Sequence, residues 1–222
     1  MLEGKRNPPA LHIPEAYWQG IVDSVQRALR EPKVKCVVIC GQNGIFCGGA
    51  DIREFSGPMS GPPLTPMIHS IEAAAKPMVA AIEGSALGGG LLLALGCHYR
   101  IAHSKTRLGF PEVILGLLPA AGGTQLLPRL IGVPAALDLI TTGRHVTAAE
   151  ALQLGMVDQV TDRNIMDVAV KFALSVVGKP LLHLAIYFDS GKTVGMLSLV
   201  FFCRKRYHQK TFIYFFFFFI LD

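Results

Sequence analysis

Two short apolar segments that each run into a glycine-rich loop constrain the fold of this chain more than any other feature. Residues 35–40 are rich in β-branched side chains and end at Gly41, and residues 78–82 form a similar run that is followed by Gly84. Continuous apolar runs of this length are typical of strands that are buried on both faces of a sheet. A third strand of this kind is predicted at residues 99–103.

Helical patterns separate these strands. Apolar side chains recur at spacings of three and four through residues 14–30, which predicts an amphipathic helix. The other predicted helices cover residues 65–75, 88–96, 122–131, 134–142, 148–154 and about 164–177, and a brief apolar run lies at 156–160. Strands that alternate with helices through short glycine-containing connections predict an α/β layered fold, with a largely parallel sheet flanked by helices. In such folds the loops at the carboxyl ends of the strands hold the ligands.

The chain has 222 residues, about half of them apolar, which suits one ordinary domain with a single site. The formal net charge of +5 is concentrated near the end, because six basic and two acidic residues from Lys179 onward supply +4 of it. The body of the protein therefore does not have the charge of a nucleic-acid-binding protein. We predict a domain at residues 1–178 and an atypical, low-complexity tail at 179–222.

The tail departs from the pattern of the domain, because it mixes apolar and basic segments and contains five successive phenylalanines at 215–219. Its apolar stretches at 193–203 and 211–221 are about eleven residues each, shorter than the ~20 that a membrane span needs. No membrane span is therefore predicted. A non-native or alternatively encoded segment is the favoured interpretation, and an interfacial anchor around Arg204–Arg206 is the alternative.

The five cysteines are scattered and mostly lie in apolar runs, as buried thiols of a reducing compartment do. No paired Cys or Cys/His spacing indicates a metal site, so none is predicted. His69, His98, His103 and His145 are expected to be structural or surface residues. The first nine residues are polar and lack the apolar core of a secretory signal.

Two glycine-rich loops, residues 44–51 and 84–91, each follow a predicted strand. Glycines allow backbone N–H groups to approach a ligand closely, because no Cβ intervenes. Two such loops on neighbouring strands can aim one N–H each at the same oxygen and so form an oxyanion hole. Tight turns and a phosphate cradle are the alternatives, although neither a Walker sequence nor GxGxxG spacing is present.

Glu112 is the third element of this constellation, since it lies in an apolar run with Leu108, Val113 and Ile114 as neighbours. An isolated glutamate is most often exposed to solvent. If Glu112 is partly buried instead, its pKa is raised toward neutrality, which suits reversible proton transfer.

The combined motifs resemble the enoyl-CoA hydratase/isomerase, or crotonase, superfamily. The similar stretches, in chain order, are residues 48–52 (GGADI), 86–90 (ALGGG), 111–112 (PE), 115–119 (LGLLP) and 122–125 (GGTQ). The resemblance covers about residues 6–177, roughly three quarters of the chain. Residues 94–103 and 132–140 most resemble the branch of the family that serves peroxisomal fatty-acid β-oxidation.

The resemblance implies a role for each matching position. The N–H groups of Gly48 and Gly89 would form the oxyanion hole for the thioester oxygen of an acyl-CoA substrate, and Glu112 would be a catalytic glutamate. Gly49, Ala50 and Asp51 would lie along the bound CoA. Because CoA is part of the substrate, the resemblance implies no separate cofactor.

Leu92 is the main departure from the family pattern, because hydratases of the family carry a first glutamate at this position. Hydration uses a water that two carboxylates orient, whereas moving a double bond needs one base and an oxyanion hole. We therefore predict an isomerase that shifts a 3-enoyl-CoA double bond to the 2 position. A 2-enoyl-CoA hydratase impaired by Leu92, a non-catalytic acyl-CoA-binding fragment and an unstable product are the alternatives.

Further expectations concern the ends of the chain and its assembly. The family's first strand pair is expected to be missing, so the domain is truncated at its N-terminus, and its C-terminal helical region is expected to be replaced by the tail. The resemblance implies a peroxisomal location, but the chain does not end in a Ser-Lys-Leu signal, so a cytoplasmic location is the alternative. A homo-oligomer is possible, since relatives are often trimeric.

Overall fold

The computed structural model describes residues 15–50 and 64–181, and within them the apolar runs form a four-stranded parallel sheet. Its strands are β1 (Val37–Cys40), β2 (Met78–Ile82), β4 (Tyr99–His103) and β7 (Gln159–Thr161), in that spatial order. In the pairing register, Val37 lies opposite Met78, and Val79 lies opposite Tyr99. All five residues of β2 are buried, as expected for the centre of a sheet covered on both faces.

Helices surround this sheet, and the described residues also contain a 3₁₀ helix, Pro111–Leu115. The α-helices are α1 (Glu15–Arg30), α2 (Leu64–Glu72), α3 (Gly89–Gly96), α4 (Gly123–Ile131), α5 (Val133–Thr142), α6 (Ala148–Gln153) and α7 (Ile165–Ser175). α7 covers one face of the sheet, where Ala169 and Ala173 pack on Val79 and Ala81. Side chains alternate along a strand, so the remaining residues of β2 point to the opposite face.

A second, smaller sheet carries the residues that matter for the site. It consists of β3 (Ser85–Leu87), β5 (Arg107–Gly109) and β6 (Val146–Thr147). β3 and β5 are parallel, with Leu87 opposite Gly109, and β5 and β6 are antiparallel. This sheet was not predicted, because its strands are only two or three residues long and β3 lies inside a glycine-rich loop.

The prediction of an α/β layered fold with a largely parallel sheet is confirmed, and every predicted helix is present within about three residues at either end. The burial predicted for the first strand is wrong. Val37, Val38 and Ile39 are half-buried and Cys40 is exposed, because β1 lies at an edge of the sheet within the described residues.

Buried polar side chains form hydrogen bonds and an ion pair between the strands and the segments that connect them. Arg100 on β4 is 1% exposed and forms an ion pair with Asp158 at 3.5 Å, and its guanidinium also donates to the carbonyl oxygens of Met156 and Cys97. His98 accepts a hydrogen bond from the Met78 N–H at its Nδ1, which leaves Nε2 to donate to the Glu72 carbonyl. The prediction that His98 is structural is confirmed by these contacts.

The described residues all belong to one compact unit, which spans Met1–Tyr187. The predicted domain boundary after residue 178 stays a prediction, because residues beyond 181 lie outside the described part of the chain. Among the helices of the described ranges, none is both long and apolar enough to cross a membrane.

Candidate active site

The two glycine-rich loops lie side by side, held together by backbone hydrogen bonds. The Cys47 N–H donates to the Ser85 carbonyl oxygen, and the Leu87 N–H donates back to the Cys47 carbonyl oxygen, each at 3.0 Å. These bonds form a parallel bridge between Cys47 and Ala86. The convergence of the two loops that the sequence predicted is therefore present.

Close backbone packing explains the glycines at Gly49 and Gly90. Gly49 has a φ of +102°, and a Cβ there would lie 2.9 Å from the Leu87 carbonyl oxygen and 3.3 Å from the Gly89 nitrogen. A Cβ on Gly90 would lie only 2.3 Å from the Cys47 carbonyl oxygen. Any larger residue at either position would push the two loops apart.

Gly48 and Gly89 remain accessible, whereas the glycines beside them are buried. Both are partly exposed, while Gly49, Gly88 and Gly90 are buried. Within residues 15–50 and 64–181, neither the Gly48 N–H nor the Gly89 N–H has a hydrogen-bond acceptor. Gly89 is also the first residue of α3, so its N–H lies at the positive end of the helix dipole. Two accessible, unpaired amides on touching loops suit an oxyanion.

Glu112 lies on the 3₁₀ helix that follows β5. Pro111 begins the helix, and Gly116 ends it in the left-handed conformation with a φ of 72°. The Glu112 carbonyl oxygen accepts a hydrogen bond from the Leu117 N–H at 2.9 Å. Phe110, directly before the helix, is 1% exposed and anchors this segment in the core.

Burial raises the pKa of the Glu112 carboxyl to about 7, and a hydrogen bond with its own backbone N–H opposes part of this shift. Its Oε2 atom is buried and has no hydrogen-bond partner among the residues that the structure describes. A carboxylate in this state is poorly stabilised, so it binds a proton more readily than a solvated glutamate does. Such a group can both accept and return a proton near neutral pH.

Gly88, which belongs to the second glycine-rich loop, lies next to the Glu112 carboxylate. The Gly88 N–H donates to the Gly109 carbonyl oxygen at 3.0 Å, which fixes the junction between β3 and β5. A Cβ on Gly88 would lie 3.1 Å from Glu112 Oε1, so the carboxylate lies directly against the Gly88 backbone. The Glu112 carboxylate therefore lies next to the residue that precedes Gly89, whose N–H has no acceptor within the described residues.

Apolar side chains adjoin these groups. Leu92, which the resemblance places where hydratases of the family would carry a glutamate, is 2% exposed on α3. The Leu64 side chain covers the other side of Gly89, because a Cβ built there would lie 3.5 Å from Leu64 Cδ2. Position 92 therefore contributes an apolar side chain to the described part of the site, and not a second carboxylate.

The structure brings together most of the residues that the sequence singled out. Gly89 lies against Gly49 and Ala50, since its built Cβ would be 3.6 Å from the Ala50 nitrogen. Asp51 lies outside the described residues, and the CoA contacts predicted for residues 49–51 stay predictions. Sequence reasoning missed Gly88 and Leu64. The triple glycine was the available signal for Gly88, whereas nothing in the sequence pointed to Leu64.

In the part of the chain that the structure describes, no group of three or more His, Cys, Asp or Glu side chains is arranged to hold a metal ion. The Asp138 carboxylate accepts a hydrogen bond from the Arg144 guanidinium at 2.7 Å, and both side chains are well exposed.

A comparison with families of known proteins decides the relationship. Residues 7–193 match the model of the enoyl-CoA hydratase/isomerase family. The chain belongs to this family. Solved structures agree, because an enoyl-CoA hydratase from Bacillus anthracis superposes with a TM-score of 0.69 and 31% identity over 88% of this chain and 81% of its own. DspI from Pseudomonas aeruginosa superposes with a TM-score of 0.71 and 30% identity, covering 90% of this chain and 76% of its own.

The most similar relatives include proteins of peroxisomal fatty-acid metabolism. The peroxisomal bifunctional enzyme of Danio rerio is 68% identical over 175 residues, which cover 79% of this chain and 24% of the relative. The human enzyme of the same name is 52% identical over 177 residues, with the same coverage. A glyoxysomal fatty-acid β-oxidation multifunctional protein from Cucumis sativus is 39% identical over 189 residues, covering 80% of this chain and 26% of that protein. The chain thus spans about a quarter of the length of these relatives.

Proposed function

We propose that this protein is an acyl-CoA isomerase that moves the double bond of a 3-enoyl-CoA to the 2 position. The observation that carries the proposal is the state of Glu112, a half-buried carboxylate with a pKa of about 7, whose Oε2 has no partner within the described ranges. It lies against Gly88, beside the free N–H of Gly89. One base next to an oxyanion hole is the minimum that this reaction requires.

The reaction would proceed in two proton transfers. The Glu112 carboxylate removes a proton from C2, and the electrons of the C2–H bond move toward the thioester oxygen to give a dienolate. The Gly48 and Gly89 N–H groups stabilise the negative oxygen. Protonated Glu112 then gives the proton to C4, which leaves a double bond between C2 and C3. The proposed reaction needs no separate cofactor, because the same proton is taken and returned.

Leu92 favours isomerisation over hydration. A water that adds to C3 must be oriented and deprotonated, and the alkyl side chain of Leu92 can accept no hydrogen bond from it. Loss of one general acid or base commonly lowers a rate by ~10²–10⁴. A hydratase impaired by Leu92 is the second candidate, since the same buried leucine is compatible with a site that binds the substrate and hydrates it slowly.

The test follows the absorbance of the conjugated thioester with each substrate in turn. With a 3-enoyl-CoA, we expect the conjugated 2-enoyl product to appear. With a 2-enoyl-CoA, we expect little loss of absorbance, because hydration is slow. Rapid loss with the second substrate and no gain with the first would favour the hydratase, and folded protein that changes neither substrate would favour a module that only binds acyl-CoA.

The cellular role follows from the relatives. We propose that the protein acts on acyl-CoA in fatty-acid β-oxidation, and that it does so in the peroxisome, because the relatives named above are peroxisomal or glyoxysomal proteins. Fractionation of cells that produce the full chain, with a peroxisomal membrane marker as reference, tests this location. Self-association stays a prediction that size-exclusion chromatography with light scattering can check.

A further inference from the structure

We propose that Cys47 is a positioning residue of the oxyanion hole, with its thiol holding the Gly49 N–H so that the neighbouring Gly48 N–H stays aimed at the substrate oxygen. The inference rests on the proposed function, because it assigns Cys47 a part in presenting the amide that binds the thioester. Nothing in the proposed chemistry requires Cys47 to react.

Two hydrogen bonds fix the backbone of Cys47. Its N–H donates to the Ser85 carbonyl oxygen, and its carbonyl oxygen accepts from the Leu87 N–H. Cys47 is 3% exposed, and its main chain is therefore as firmly held as a residue in a strand. The Cys47–Gly48 peptide, which carries the Gly48 N–H, begins at this fixed point.

Gly48 and Gly49 form no backbone–backbone hydrogen bond within the described residues. Gly48 and Gly49 both lack a Cβ, so their backbone dihedrals are free over a wide range. Gly49 adopts a φ of +102°. Its N–H donates to Cys47 Sγ at 3.3 Å. Gly48 therefore lies between two held groups. The backbone of Cys47 precedes it, and the Gly49 N–H, which is bonded to the thiol, follows it.

The thiol is suited to this role because it stays neutral and fits a narrow space. Burial raises the pKa of Cys47 to about 11, against the opposing effect of the Gly49 hydrogen bond, so the group is not a thiolate near neutral pH. The Cys47 Cβ would lie 2.7 Å from a Cβ on Gly90, which shows how tightly it packs against α3. A small side chain with one acceptor atom is therefore what the position allows.

The matched pair of variants is Cys47→Ala and Cys47→Ser. Alanine keeps the small size and removes the acceptor, whereas serine keeps an acceptor for the Gly49 N–H. A purely structural role would lower the melting temperature in both variants without affecting how the site polarises a thioester. A positioning role affects the polarisation in Cys47→Ala and leaves it in Cys47→Ser.

The experiment measures binding of a 2,4-dienoyl-CoA to the full chain in a Glu112→Gln background, so that no turnover is needed. Polarisation of the thioester carbonyl by the two amides shifts the absorbance of the conjugated ligand to longer wavelength. We expect Cys47→Ala to lose at least half of this shift, and Cys47→Ser to keep most of it, with the dissociation constants changing less than about threefold. Thermal denaturation checks that each variant is folded.

A full shift in Cys47→Ala, an equal loss in both variants, or no shift in the Glu112→Gln parent would overturn the inference. If Cys47→Ala fails to fold, the chemical shift of the Gly49 amide proton in Cys47→Ser, measured by NMR, tests the inference instead. The Gly49 amide proton is expected to move downfield with the stronger acceptor, and an unchanged resonance would overturn the role. Failure to isomerise a 3-enoyl-CoA would count against the proposed function alone, because the binding shift requires no reaction.

Discussion

Glu112 is the proposed base, and the fold solvates its carboxylate poorly. The side chain lies on the segment after the buried Phe110 and against the Gly88 backbone, where no group of the described part of the chain donates to Oε2. A glutamate was recognisable as a candidate from its apolar neighbours. Its closeness to Gly88 was not, because that contact depends on the pairing of β3 with β5, which joins residues about twenty positions apart.

The raised pKa of Glu112 predicts the pH dependence of the isomerase. Because the base must be ionised, kcat/KM for a 3-enoyl-CoA should rise with pH and level off above a pKa of about 7. Below that pKa the rate should fall about tenfold for each unit of pH. Initial rates across pH 5–9, with protein stability checked at each value, provide the measurement. A profile that levels off near pH 4.5 would contradict the burial of the reacting carboxylate.

Leu92 offers a test of why hydration is expected to be slow. Leu92→Glu restores a carboxylate at the position that hydratases use, and we expect hydration of a 2-enoyl-CoA to increase by about 10-fold or more. Stability should fall, because the site is 2% exposed and a buried carboxylate is costly. Leu92→Gln is the matched control, since it has a similar shape and cannot act as a base. Equal hydration by the two variants would show that the carboxylate is not what the site lacks.

At the scale of elements, the sequence predicts well those helices and strands that are long enough to show an apolar pattern. α1, β2 and β4 were predicted almost to the residue, because apolar spacing and β-branched runs determine them locally. β3, β5 and β6 were missed, since two or three residues cannot show a period. The edge position of β1 also escaped prediction, because strand order depends on contacts between distant parts of the chain.

The link between β4 and the segment before β7 depends on a buried cation. Arg100 is fully enclosed, and Asp158 accepts from both its backbone N–H and its guanidinium. Asp158→Ala leaves the guanidinium with carbonyl partners but no counter-charge. We therefore expect it to lower the free energy of unfolding by about 2 kcal/mol. The loss is smaller than for a fully buried pair, because Asp158 is partly exposed.

Asp138→Ala is the control for this prediction, since it removes an ion pair with Arg144 whose two side chains are well exposed. Pairs of this kind contribute about 0–1 kcal/mol. Urea denaturation of the two variants gives the comparison. Equal losses of unfolding free energy in the two variants would mean that the Asp158 carboxylate stabilises the protein no more than an exposed ion pair does.

For the whole molecule, the site should make stability depend on pH. The folded protein holds the Glu112 proton up to a pKa of about 7, whereas the unfolded chain releases it near 4.5. The folded state therefore binds more protons between these values, so the contribution of Glu112 to stability is fully present below about pH 4.5 and is lost as the pH rises through 7.

Glu112→Gln removes this titration, and we expect it to raise the free energy of unfolding at pH 8 by about 1–3 kcal/mol relative to the native protein. At pH 4.5 the two proteins should be nearly equal in stability. Thermal or urea denaturation at both pH values tests this. A variant that is no more stable at pH 8 would show that the ionised carboxylate is not strained by its surroundings, and would weaken the case for a functional site there.

The most direct test of the central claim is the conversion of a 3-enoyl-CoA by the native protein and by Glu112→Gln, measured at pH 8 with both proteins shown to be folded. Because one carboxylate is proposed to take and return the proton, kcat should fall by ~10²–10⁴ in the variant while binding of the substrate is largely kept. A variant that converts the 3-enoyl-CoA as fast as the native protein would contradict the account.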